Sequence, residues 1–293
     1  MNTTSKVRLL NILLADDGTP NMGPAIDLLS ELPHNKECQI TSLRVFTPIE
    51  GSEFSRVEVE TEKTNELLKS RNFKFRSEVI PGYPGETILQ YASEHNPNLV
   101  VLGSKSTGYL GGFLGNVASE IIHSAKWPVL IVRGINKGIK KVLVVTDGSK
   151  CSQYTCEYFG GFPLPAGTNL YIMHVVIPVR VTYPIEPAGL ALPAISAEDE
   201  VRLNQENTLR GQEYLEIALH QLGNPSNTKL ILKTGEPIDQ ILSYIKSEQI
   251  DLLVCGSRGT GNLAGWILGS ISRELVQQAP CSVLVVRSST SNI

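Results

Sequence analysis

Short apolar runs rich in valine, isoleucine and leucine alternate along this chain with longer stretches in which apolar residues recur at helical spacing. In the C-terminal half the runs are Val142–Val145, Leu170–Val176, Leu230–Leu232, Leu252–Cys255 and Val283–Val286. They are short and nearly uninterrupted, the pattern of strands covered on both faces of a parallel sheet. The stretches between them are amphipathic. One runs from about Glu198 to Leu222, and Ser196 with Asp199 forms a capping box ahead of it. Another runs from Ile238 to Glu248, with Ile238, Ile241, Leu242 and Ile245 on one face. Strand–helix alternation of this kind predicts an open, doubly wound parallel sheet of about five strands. Such sheets receive ligands outside the carboxyl ends of the strands, where the strand order reverses.

The pattern occurs twice. GYPGETILQYASEHNPNLVVLGSKST, from Gly82 to Thr107, lies against GEPIDQILSYIKSEQIDLLVCGSRGT, from Gly235 to Thr260. At one offset Gly82 matches Gly235, Pro84 matches Pro237, Tyr91 matches Tyr244, and Gly103-Ser104 match Gly256-Ser257. The ends repeat as WPVLIVR (Trp127 to Arg133) and CSVLVVR (Cys281 to Arg287), and the starts as NILLADDGT (Asn11 to Thr19) and KVLVVTDGS (Lys141 to Ser149). The chain is therefore expected to hold two copies of one α/β domain, residues 1–136 and 137–293, joined near Gly134 to Gly138.

Bulk properties narrow the class of function. The 293 residues suffice for two domains, and a net charge of −3 with no basic block gives no reason to expect nucleic acid or an anionic membrane as partner. The N-terminus lacks the apolar run of a signal peptide, and no apolar stretch is long enough to span a bilayer, so a cytoplasmic location is expected. The five cysteines, Cys38, Cys151, Cys156, Cys255 and Cys281, fit neither a redox pair nor a zinc site; they read as small buried residues. No metal site built from protein side chains is expected.

The chemistry is expected after the strands of the second half. Thr146-Asp147-Gly148-Ser149 follows the first, His174-Val175-Val176 ends the second, and Gly256-Ser257-Arg258-Gly259 follows the fourth. Gly269-Ser270 then opens the last helix. Glycines let backbone N–H groups turn toward a ligand, and a helix N-terminus offers unpaired donors and a favourable dipole to an anion. Arg258 can add a charge-assisted contact to phosphate, and Asp147 can accept from ribose hydroxyls or a base amine. Each feature also has a plain reading: a glycine after a strand as a tight turn, Asp147 as the cap of the first helix, Arg258 as a solvated charge. The Gly259–Ala264 match to a loose dinucleotide pattern follows the wrong strand, and there is no P-loop.

The spacing Gly256-x2-Gly259-x9-Gly269-Ser270, together with Asp147-Gly148-Ser149, resembles the ATP-binding signature of the universal stress protein family. The resemblance covers nearly the whole chain, twice. It implies two tandem doubly wound five-stranded parallel-sheet domains of the universal stress protein or adenine nucleotide hydrolase-like fold, paired through their last strands. It implies ATP as cofactor, with Mg2+ bridging its phosphates. The binding residues it implies are Thr146, Asp147, Val175, Gly256, Ser257, Arg258, Gly259, Gly269 and Ser270, with none catalytic. The first half departs from the signature: Ser106 stands where the second glycine belongs, the loop to Gly115-Asn116 is one residue shorter, and Asn116 replaces serine, while Asp17 keeps the place of Asp147. Weaker nucleotide binding is expected there.

The leading expectation is a regulatory protein of the stress response in which ATP at the second domain biases conformation or pairing. Alternatives are a slow ATPase or nucleotide-dependent transferase, and a protein-interaction module that takes no nucleotide. The sequence favours binding over turnover, because no general base other than Asp147 stands near the cradle. Expected partners are an adenine nucleotide and an unidentified protein, with the domains paired within the chain and a homodimer left open. The proline-rich stretch Pro178 to Pro193 reads first as a mobile loop, with a lid or a partner-docking strip as alternatives.

Overall fold

The computed structural model describes residues 11–19, 22–33, 38–47, 54–104, 115–134, 138–180, 196–259 and 268–287. The first half runs β1 (Asn11–Asp16), α1 (Met22–Glu31), β2 (Gln39–Phe46), α2 (Phe54–Ser70), β3 (Phe75–Pro81), α3 (Pro84–His95), β4 (Leu99–Gly103), α4 (Asn116–Ser124) and β5 (Val129–Val132). The second repeats the order with β6 (Lys141–Val145), α5 (Lys150–Gly160), β7 (Asn169–Val176), α6 (Ala197–Gln221), β8 (Thr228–Thr234), α7 (Pro237–Glu248), β9 (Leu252–Gly256), α8 (Ser270–Gln278) and β10 (Ser282–Val286). The expected boundary at 136/137 lies outside the described residues.

All strands join one ten-stranded sheet in the order β3-β2-β1-β4-β5-β10-β9-β6-β7-β8. Every pairing is parallel except β5 with β10, where Val283, Leu284 and Val285 face Ile131, Leu130 and Val129. Each half is thus a doubly wound parallel sheet, and the two pair through their last strands, as the resemblance implied. Because that one junction is antiparallel, the strands of one half run opposite to those of the other. Their carboxyl ends open on opposite rims of the sheet.

Alternate strand residues feed two core layers. Ile12 and Leu14 face α1, α2, α5 and α6; Leu13 and Ala15 face α3, α4, α7 and α8. Both layers draw on both halves. Leu130 and Leu284 lie in the first and Ile131 and Val283 in the second, all fully buried. Burying one such side chain contributes roughly 1.5–3 kcal/mol, so the junction is part of the core.

The outermost strands read differently. Only Leu230–Leu232 of β8 is an apolar run, yet the strand extends from Thr228 to Thr234. Its centre packs on both layers, Leu230 and Leu232 on the first and Ile231 in the second, while its ends carry Lys229 and Lys233, charges that discourage pairing with another sheet. The Ser196 cap is present: its Oγ accepts from Asp199 N at 3.0 Å and donates to the Asp199 carboxylate at 2.9 Å. All five cysteines are free thiols. Burial pushes Cys156, Cys255 and Cys281 up to about 12, so these three stay protonated and pack as small apolar residues.

Candidate functional site

The strand order reverses between β6 and β9 in the second half. At their carboxyl ends the structure brings together Thr146, Asp147, Gly256, Ser257, Arg258 and Gly259, with Gly269 and Ser270 entering from α8.

After β6 the chain turns at Gly148, whose φ of +76° favours glycine. The Tyr214 ring of α6 closes over it, so a Cβ there would stand 2.5 Å from ring carbons. Gly148 N donates to Thr146 Oγ1 (3.2 Å) and Ser149 N to Asp147 Oδ1 (3.1 Å). Thr146 Oγ1 also donates to Ser152 Oγ at 3.0 Å, so its hydroxyl ties the turn to α5. Ser149, not Asp147, caps that helix, its Oγ accepting from Ser152 N at 3.2 Å. Asp147 is two residues too early to cap, and its Oδ2 faces Gly259 across the cleft. Replacing Ser149 with alanine is expected to cost about 1 kcal/mol, and Ser149→Asp to cost less; urea unfolding of both variants measures it.

After β9 the loop is fixed by its own backbone. Ser257 N donates to Val286 O (2.9 Å), Gly269 N to Ser257 O (2.8 Å), and Ser272 Oγ to Gly256 O (2.7 Å). Gly256 packs on α5, where a Cβ would lie 3.1 Å from Thr155 Oγ1 and 3.2 Å from Cys151 Sγ. At Gly259 a Cβ would stand 2.5 Å from Asp147 Oδ2, so the carboxylate lies directly over this glycine. The Ser257 side chain is buried, 3.9 Å from Cys151 Sγ, which makes it a wall of the loop. Residues 260–267, including Trp266 and Ile267, lie outside the described residues; Leu268, in the core, anchors the end of that loop.

α8 begins with Gly269 as N-cap, and no side chain caps it. Its first-turn N–H groups have no intrahelical acceptor. They point from the helix end with the positive pole of its dipole, beside the Gly256–Gly259 turn. Val175 is set apart from this cluster, on the neighbouring strand: β7 pairs Met173 with Val145, and Val175 lies two residues further on. Its neighbour His174 donates from Nδ1 to Thr146 O at 2.8 Å and meets Tyr214 edge-on at 5.3 Å.

Two arginines missed by sequence reasoning connect this site to the other half. Arg287, just after β10, crosses the junction to donate to Ile122 O and His123 O at the end of α4. Arg133, just after β5, reciprocates onto Val276 O and Ala279 O at the end of α8. Burial, and then the nearby Arg258 guanidinium, push Arg287 down to about 10; it remains charged at neutral pH. The available signal was the arginine closing each copy of the terminal repeat, WPVLIVR and CSVLVVR.

The first half is built otherwise at the matching place. Asp16, aligned with Thr146, is buried and ion-paired with Arg44, aligned with His174, at 2.8 Å; Glu60 of α2 takes a second Arg44 nitrogen at 3.2 Å. The Asp17 carboxylate accepts from both Thr19 N and Thr19 Oγ1. Ser104 repeats the Ser257 backbone bond, to Val132 O at 2.9 Å, and α4 starts at an uncapped Gly115 as α8 does at Gly269. Lys105, Ser106 and the glycines 108, 111 and 112 lie outside the described residues, as does most of the proline-rich stretch.

Order 3-2-1-4-5 in each half defines a pair of doubly wound α/β domains. The chain belongs to the universal stress protein family, whose family model matches residues 9–133 and again 138–287. It is 28% identical over 225 residues to a universal stress protein of Mycobacterium tuberculosis, covering 75% of this chain and 71% of that one. A universal stress protein of Thermus aquaticus is 30% identical over 148 residues, half of this chain and 98% of its own. A universal stress protein structure from Archaeoglobus fulgidus superposes with a TM-score of 0.62 at 21% identity, over 94% of this chain and 98% of that one. No helix among the described residues is long and apolar enough to cross a membrane.

Proposed function

We propose that the second domain binds an adenine nucleotide, ATP by preference, and that the bound nucleotide biases how the two domains pair in the stress response. The observation that carries this reading is the meeting of the Gly256–Gly259 turn, the uncapped start of α8 and the Asp147 carboxylate standing over Gly259. Phosphates fit the turn and helix start, where N–H groups and the Arg258 guanidinium favour negative charge. Asp147 Oδ2 suits hydroxyl or amine donors of the nucleoside, with Val175 beside the base. Thr146 and Ser257 act on the ligand through the loops they hold. Among the described residues no cluster of acidic, histidine or cysteine side chains could hold a metal, so Mg2+ would enter on the phosphates and screen their charge.

The link to pairing follows the backbone. The loop is bonded to β10 through Ser257 N, and the next residue after β10, Arg287, is bonded to α4 of the first domain. An anion beside Arg258 offsets the repulsion between Arg258 and Arg287 and so favours the state in which both are held close.

Calorimetric titration of ATP with magnesium into the wild type and Gly259→Val tests the reading. One saturable site is expected, weakened about tenfold to a hundredfold in the variant, because the new side chain displaces Asp147. Identical isotherms for the two proteins, or no heat in either with no nucleotide released on denaturation, would reject it.

A further inference from the structure

The turn that follows the first strand is covered differently in the two halves. Gly18 and Gly148 are matching glycines, with φ of +73° and +76°. Over Gly18 stand the Arg44 guanidinium from β2 and the Glu60 carboxylate from α2. Over Gly148 stands the Tyr214 ring from α6, whose Cδ1, Cε1 and Cζ would each lie 2.5 Å from a Cβ at that glycine. One half closes the turn with charge and the other with a neutral ring. Arg44 engages the carboxylate of its own turn, that of Asp16, at 2.8 Å. A tyrosine brings no cation to compete for the carboxylate of Asp147.

Tyr214 is placed for this contact and not for packing in the core. The buried residues of α6 are Gly211, Leu215 and Ala218. Tyr214 is half-buried and belongs to neither core layer. Its reach comes from Gly211, almost one turn earlier. A Cβ there would lie 2.8 Å from His174 Cδ2 and 3.1 Å from Val176 Cγ2, so the absent side chain lets α6 lie close against the end of β7. His174, fixed by its bond to Thr146 O, meets the ring edge-on. Gly148 N donates to Thr146 Oγ1, and Gly148 O accepts from Gln153 Nε2 of α5 at 3.1 Å. These bonds hold the polar groups of Gly148, and the ring covers its Cα.

We propose that Tyr214 is a positioning residue for the nucleoside end of the site: by holding Gly148 it presets the Asp147 carboxylate over Gly259, ready for a ribose hydroxyl or base amine. Presetting lowers the ordering cost of binding, and the gain falls on the nucleoside and not on the phosphates. The ring acts here, and its hydroxyl is not required. This inference rests on the nucleotide reading above.

The test uses the full chain as wild type, Tyr214→Ala and Tyr214→Phe. Calorimetry follows ATP and, as a phosphate chain without a nucleoside, tripolyphosphate, each with magnesium. Tyr214→Ala is expected to bind ATP about tenfold more weakly and tripolyphosphate as the wild type does, while Tyr214→Phe binds both within about twofold of the wild type. In the ligand-free proteins, amide hydrogen exchange over Thr146–Ser149 should quicken in Tyr214→Ala and not in Tyr214→Phe, with β9 and α8 unchanged. Wild-type ATP affinity in a folded Tyr214→Ala, equal losses for ATP and tripolyphosphate, or unchanged exchange at 146–149 overturns the inference and leaves the nucleotide reading standing. No binding of ATP by the wild type overturns that reading and this inference with it. If tripolyphosphate gives no heat with the wild type, the ATP and exchange results decide. Should Tyr214→Ala fail to fold, Tyr214→Gln, which removes the ring but keeps a long side chain on the half-buried face, is judged by the same measurements.

Discussion

Replacing Asp16 with threonine, the residue at the matching place in the second half, is expected to lower stability by about 3 kcal/mol. The side chains of Asp16 and Arg44 are 0% and 4% exposed, and they meet at 2.8 Å. Removing the carboxylate strands a guanidinium in the interior with only Glu60 as ion-pair partner, itself 24% exposed and 3.2 Å away. The second half shows how the position is satisfied without an ion pair: Thr146 bonds to Ser152, and His174 donates to Thr146 O. Adding Arg44→His to Asp16→Thr should therefore recover much of the loss. A double-mutant cycle by urea unfolding measures it. Strictly additive losses would show that Asp16 and Arg44 are not a unit.

Leu284→Ala is expected to cost about 3 kcal/mol, within the range for leucine truncations in close-packed cores. Leu284 is fully buried, faces Leu130 across the antiparallel junction, and packs in a core layer drawn from both halves. Scanning calorimetry should show one transition moving down as a whole, since the cavity opens where the halves share a core. Separate melting of the second half, with the first unmoved, would contradict that picture. The reciprocal arginines work to the same end, since each covers helix-end carbonyls of the other half with a charge suited to that end of the dipole.

Much of this architecture is legible in the residues. Val142–Val145, Leu252–Cys255 and Val283–Val286 carry the full signature of strands buried on both faces, and the structure extends each by only a residue. β8 was legible only at its centre, because only Leu230–Leu232 reach the two core layers and its ends are polar. The order 3-2-1-4-5 has no trace in periodicity: an apolar run says that a strand is buried, not beside which strand. It came through family resemblance.

At the site, the spacing from Gly256 to Ser270 marked residues that do converge, because backbone turns leave glycine in the sequence. Ser149 as the cap, Ser272 as the tie to Gly256, and the crossing arginines escaped notice; their roles depend on which element folds over which. Asp16 and Arg44 could have been found. An acid inside NILLAD and a base inside ITSLRVF are charges in otherwise buried strands, and buried opposite charges are found paired.

The antiparallel junction of β5 and β10 has a bearing on how such a molecule can change. When two identical chains meet about a twofold axis, every substitution appears on both sides of the axis at once. Here both sides are segments of one polypeptide, so each position exists in two independently variable copies under one shared core. Threonine can stand at 41 while tyrosine stands at 171, and an ion pair can occupy 16 and 44 while a hydroxyl and an imidazole occupy 146 and 174. One copy can carry Gly259 while the other carries Ser106 at the matching place. Joining the copies head to tail has released each half from having to remain a mirror of its neighbour.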